Sequence, residues 1–222
     1  MNFFGHAVVA SWKAEAPGVV LGAMLPDLAS MSETRLVEVH HPELAAGLAL
    51  HHQTDRVFHA ASEFVALWRG ATRALRARGL ERGCALAAGH VGIELLLDGW
   101  LVERRKAREA YAAALGCGRQ RKLGRQIRWA DEAGRARWRT LRRRLEEHGP
   151  PEDYRDPALV ASRVERILRR RPRLALDARR AEITARCLPE LQQMVYARAA
   201  PLIAELHQGL TDEAPARRVE TS

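Results

Sequence analysis

Gly89-His90-Val91-Gly92-Ile93-Glu94-Leu95-Leu96-Leu97-Asp98-Gly99-Trp100-Leu101 carries apolar side chains on every face of the helix it would form. A helix of that kind belongs at the centre of a bundle, because each of its faces needs an apolar neighbour. Outward from this stretch, Ala, Leu, Arg and Glu dominate, and period-two runs of Val, Ile, Thr and Tyr are absent, which predicts helix almost throughout. The expected helices cover about 3–13, 18–24, 43–70, 84–112, 157–171, 173–187 and 189–208. Pro26 is expected to stop the second, since proline disfavours helix at the residue before it. Residues 29–41 read as a loop or short helix, and the polar, glycine-broken stretch 116–147 as one or two exposed helices. The expectation is an all-α bundle of about seven to eight helices in one domain, 1–210. Within it, 116–150 is a basic, insertion-like region, and 211–222 is expected to be a disordered tail.

A chain of 222 residues that is 47% hydrophobic and 28% charged is neither wholly disordered nor fibrous. No apolar run approaches the roughly 20 residues of a bilayer span, and no secretory signal is visible, so the expected location is the cytoplasm. Cys84, Cys117 and Cys187 are odd in number and far apart, which predicts no disulfide framework and no paired-cysteine zinc site. The charge divides unevenly. Residues 1–98 hold 8 basic and 10 acidic residues, whereas 99–222 hold 28 and 17, a net of +11. Such a half concentrates anionic partners around it. Nucleic acid is not the expected one: there is no zinc finger, and only 5% of residues are aromatic and able to stack on bases. Histidine shows the opposite bias, with seven of nine in the first 90 residues.

The chemistry-bearing residues lie on the helices. His51 and Asp55 are four apart and continue the inward stripe Leu44, Leu48, His51, Asp55, Phe58. An inward His–carboxylate pair suits a shared divalent ion or a simple hydrogen bond. Glu94 and Asp98, with His90 one turn before, sit in the all-apolar stretch, where unpaired carboxylates are costly. A metal shared by both acids, or a water-filled cleft, would relieve their repulsion. His6 is a polar residue in an apolar helix. Asp27 follows Pro26 at an expected turn and reads as a ligand or an N-cap. Together, positions 6, 27, 51, 55, 94 and 98 form the donor set of a mono- or dinuclear hydrolytic site.

Three motifs in order, Met1-Asn-Phe-Phe-Gly-His6, Gly22-Ala-Met-Leu-Pro-Asp27 and Gly47-Leu-Ala-Leu-His51-His-Gln-Thr-Asp55, resemble the acyl carrier protein phosphodiesterases. That family is an atypical all-α branch of the HD-type metal-dependent phosphohydrolases. Glu94-Leu-Leu-Leu-Asp98-Gly-Trp-Leu resembles its paired-acid helix, and Arg169-Arg-Arg-Pro-Arg-Leu its arginine–proline segment. The chain departs from the family where His52 replaces an arginine, Glu94 an aspartate and Gly99 a histidine. The resemblance implies hydrolysis of the phosphodiester joining phosphopantetheine to a carrier-protein serine. It also implies a divalent ion, Mn²⁺ first and Mg²⁺, Fe²⁺ or Zn²⁺ next. His51, Asp55, Asp27 and Asp98 are then the expected ligands. Glu94 is a ligand or base, His6 a ligand or water-positioning group, and His52 a phosphate contact or proton donor. The acidic carrier protein would dock on the basic half, with Arg169, Arg170, Arg171 and Arg173 as contacts; an arginine run is equally a solvated face.

Overall fold

The computed structural model describes residues 1–212, and is all-α apart from one small two-stranded sheet. Ten α-helices are present among the described residues: α1 (Phe3–Lys13), α2 (Pro17–Met31), α3 (Pro42–Ala60), α4 (Ser62–Ala77), α5 (Arg82–Leu101), α6 (Arg105–Cys117), α7 (Arg121–Gly124), α8 (Glu132–His148), α9 (Pro157–Arg169) and α10 (Ala178–Asp212). The strands β1 (Leu36–Val39) and β2 (Ile127–Trp129) pair antiparallel. They lie in the two stretches expected to be loop or exposed helix. Thr211 and Asp212, expected in the tail, complete α10, and the rest of the expected tail, 213–222, lies outside the described residues.

Helix α5 is central, packed by α4, α9, α10 and α1, with Ile93, Leu95, Leu96 and Leu97 all buried. It is long and apolar enough to cross a membrane by length and composition, and most of that length is buried inside the bundle. Helices α2 and α3 run against each other at close range. A side chain on Gly47 would meet the Val19 carbonyl oxygen at 2.1 Å, and one on Gly22 the Leu44 carbonyl oxygen at 2.3 Å. Two glycines at the crossing let the backbones touch, which places the side chains of Asp27 and His51 side by side.

Pro26 does not end its helix as expected. Helix α2 continues through Pro26 to Met31, so Asp27 projects from a helix and not from a turn. Helix α10 runs unbroken through Pro189 and Pro201, fusing the two helices expected at 173–187 and 189–208. Each proline there leaves one carbonyl four residues earlier unpaired, that of Ala185 or Ala197. Both of those residues are exposed and so open to water, while Leu188, Leu191 and Leu202 stay buried. Conversely, the helix expected over 43–70 breaks at Ala61. Glu205, from α10, accepts from the Ser62 amide at 2.6 Å and the Glu63 amide at 3.0 Å, capping α4 from across the bundle. The helix expected over 84–112 likewise divides, at Val102–Arg104, into α5 and α6. Cys84, Cys117 and Cys187 are free thiols.

Candidate metal centre

Three helices bring His6 (α1), Asp27 (α2) and His51 with Asp55 (α3) to one place. His6, Asp27 and His51 each present a ligand atom, all within 4.8 Å of one another. The His6 Nε2 lies 3.2 Å from Asp55 Oδ1 and 3.7 Å from Asp27 Oδ2, and the His51 Nε2 lies 3.5 Å from Asp55 Oδ2. The two imidazoles stack at 3.9 Å.

The protonation pattern aims a lone pair of this group at a carboxylate. His51 Nδ1 is 2.8 Å from the Ala23 carbonyl oxygen. A carbonyl only accepts, so Nδ1 carries the proton and the neutral ring's lone pair is on Nε2. Burial, with His6 alongside, pushes the His51 pKa down to about 4, so the ring is neutral at pH 7. Its lone pair therefore faces a carboxylate. Burial also lowers the His6 pKa, and neither of its ring nitrogens is aligned for a hydrogen bond, nor is the buried Oδ2 of Asp27. Burial, followed by nearby carboxylates, raises Asp27 well above the usual range even though the Met1 ammonium opposes it. Buried nitrogen and oxygen atoms are rarely left unpaired in folded proteins, so orphans converging on one point suit an ion. The Ala23 bond is the outer-shell contact that metal-ligating histidines typically make.

Beside this group, the Met1 α-ammonium is buried 2.8 Å from Asp55 Oδ1 and 3.0 Å from Glu94 Oε1. Burial alone would raise the carboxyls of Asp55 and Glu94. The ammonium with His6 for Asp55, and with His59 and His90 for Glu94, reverses this and holds both well below the usual range. Glu94 is thus kept firmly anionic, which makes it a poor base.

Asp98 does not join the cluster. Its Oδ1 accepts from the Gly5 amide at 2.8 Å, and its Oδ2 from Asn2 Nδ2 at 2.8 Å and the Phe4 amide at 3.3 Å. The expected partner of this buried acid was a metal, but its actual partner is the N-terminus of α1, whose amides are otherwise unmatched. His6 takes the corner assigned to Asp98. His52 is exposed, one position off the inward stripe of α3, with its ring edge-on to His51 at 5.3 Å. Gly99 has a structural cause: a side chain there would meet the Tyr154 carbonyl oxygen at 2.3 Å, because the turn Glu152–Arg155 crosses α5 at that point.

The arginines of 169–173 lie on the surface. Arg169 pairs with Glu165, and Arg170 with Glu33 and the Ser30 carbonyl. Arg171 and Arg173 are exposed. Six further arginines, Arg119, Arg125, Arg135, Arg139, Arg142 and Arg143, line a cavity of about 620 Å³ over the paired rings of Trp129 and Trp138. Sequence reading missed two further residues, His59 and, in part, His90. The His90–Glu94 spacing was visible, whereas His59 is aimed by the break at Ala61, which depends on distant Glu205.

The chain matches no family model, no curated protein and no solved structure.

Proposed function

We propose that the protein is a metal-dependent phosphodiester hydrolase, acting on the phosphopantetheine–serine linkage of an acidic carrier protein. The observation that carries the reading is the convergence of a neutral His51 lone pair, one His6 nitrogen and the buried Asp27 Oδ2 around Asp55. These residues would hold the ion, Mn²⁺ by the resemblance of the three motifs. When bound, it would lower the pKa of a water toward neutrality and offset charge on the phosphate oxygens. The protein's own part is to fix the donors. Ala23 sets the His51 tautomer, the His6–His51 stack sets ring orientation, and burial keeps both rings unprotonated. Glu94, held anionic by Met1, His59 and His90, supplies charge beside the site and not a base. His52 is left without a catalytic role, and the basic half supplies the docking surface for the acidic substrate.

The test is mass spectrometry of holo-carrier protein incubated with the protein and Mn²⁺. Loss of the phosphopantetheine mass, abolished by His51→Ala, is the expected result. An unchanged carrier with turnover of nucleotide or head-group phosphoesters would move the substrate class and keep the chemistry. A second reading is a non-enzymatic helical binding protein, favoured by the Met1 ammonium, which already pairs with both Asp55 and Glu94. Metal analysis after purification without added metal separates the two.

A further inference from the structure

Glu94, displaced from the base role, has a different set of neighbours. Its Oε1 lies 3.2 Å from His59 Nε2 and 3.1 Å from His90 Nε2. The three ligand atoms lie within 4.8 Å of one another. For an ion about 2.1 Å from each donor, the two Glu94–histidine separations subtend angles of about 95–100°, between octahedral and tetrahedral. His90 and Glu94 reach the same point because they are one turn apart on α5. His59 reaches it from the last turn of α3, where the chain breaks under the clamp of Glu205.

The rings are fixed by apolar walls. His59 stands edge-on to Phe58 at 5.3 Å and Phe64 at 5.2 Å, and His90 edge-on to Phe64 at 5.3 Å and Trp68 at 5.5 Å. Trp68 is itself tied, donating from Nε1 to the Leu86 carbonyl at 2.9 Å. On the remaining side the histidine side chains are 36% and 32% exposed, so an ion has a way in and water can complete its coordination. A rigid, half-open set of two imidazoles and one carboxylate is the donor type that suits zinc, cobalt, nickel or ferrous iron. The Met1 ammonium lies 3.0 Å from the same Glu94 Oε1, so an ion bound here would share with it an oxygen that carries two lone pairs.

We propose that His59, His90 and Glu94 form a second metal position, for a transition ion of the Zn²⁺ class, next to the His6–Asp27–His51–Asp55 cluster. It does not depend on the hydrolase reading, since it rests on a separate donor set.

The probe is Zn²⁺ alone, titrated calorimetrically into protein stripped of metal. The wild type should bind one equivalent that His59→Ala and His90→Ala each lose while His6→Ala retains it. Zinc binding that both variants leave unchanged, or no binding by the wild type, overturns the proposal. If the variants do not fold, ¹⁵N spectra of the wild-type imidazoles decide. Zinc must shift the His59 and His90 signals, and unshifted signals overturn the proposal equally. Hydrolysis is not read in either measurement, so a failed carrier-protein assay leaves this result standing.

Discussion

Replacing Asp98 by asparagine tests whether this residue anchors a helix or binds a metal. Burial lifts the Asp98 pKa from the ordinary 3.8 to about 7, although the Gly5 amide, Asn2 and the Phe4 amide all favour its charged form. A raised carboxyl pKa means that the folded state holds the proton more tightly than the unfolded state does. Between about pH 4 and 7 the folded chain therefore carries more protons, and stability falls as pH rises. About three decades of proton affinity correspond to about 4 kcal/mol in full, of which about 3 kcal/mol falls between pH 5 and 8. Asparagine keeps one acceptor for the α1 amides and does not titrate. Measured by urea denaturation with chelator present, the variant should be the less stable protein, or nearly equal, at pH 5. By pH 8 it should have gained about 3 kcal/mol relative to wild type. Other carboxyls cancel in the difference. Adding Mn²⁺ should leave that difference unchanged, because Asp98 is spent on α1. A difference independent of pH would refute the burial argument, and one that appears only with metal would restore Asp98 as a ligand.

Gly47→Ala should destabilise by about 1–3 kcal/mol or more, a fall of several degrees in melting temperature, because the new methyl meets the backbone of α2. It should also weaken metal binding by separating Asp27 from His51, which calorimetry would show as a larger Kd. Gly99→His, which introduces the histidine of the resembling family, should lower the melting temperature without improving turnover, since Tyr154 leaves no room; an active, equally stable variant would refute this. Charge reversal at Arg169, Arg170 and Arg173 should slow turnover of the whole carrier protein and flatten its salt dependence, with a small phosphodiester unaffected. If reversal at Arg135, Arg139 and Arg143 has the larger effect, the docking surface is the cavity over Trp129 and Trp138.

What was legible in the sequence is what depends on neighbours along the chain. Helix α1 was read over its observed span, and α5 was read as central because an apolar stretch on every face admits no other place. His51 and Asp55 were paired correctly because four-residue spacing alone puts them together. What was illegible depends on partners far away. The break at Ala61 needs Glu205, 143 residues beyond Ser62, and the role of Asp98 needs the amides of α1, 93 residues before it. In both cases an acid caps a helix to which it is not joined, so no local pattern announces it. The break expected between 187 and 189 is absent for the opposite reason: Pro189 faces solvent, and burial of the opposite face of α10 outweighs one lost hydrogen bond. The strands escaped notice because each is too short to show alternation and neither is stable without the other.

Helix α10 also sets the order of events during synthesis. At 35 residues it is about 52 Å long, and it lies against α3, α4, α5 and α9. Its far end reaches back to the first helix, where His207 meets Trp12 at 5.6 Å and Lys13 Nζ donates to the Leu210 carbonyl at 3.4 Å. The helices bearing His51, His59, His90 and Glu94 are thus made first and lack one wall until about residue 210 has left the ribosome. Over that interval, on the order of ten seconds at typical elongation rates, they present apolar surface to whatever is nearby. A ribosome stalled before α10, or a nonsense codon that removes α10, therefore releases a chain whose chemistry-bearing residues are all present but unassembled. Such a chain is a substrate for chaperones and proteases, not a slightly shortened protein.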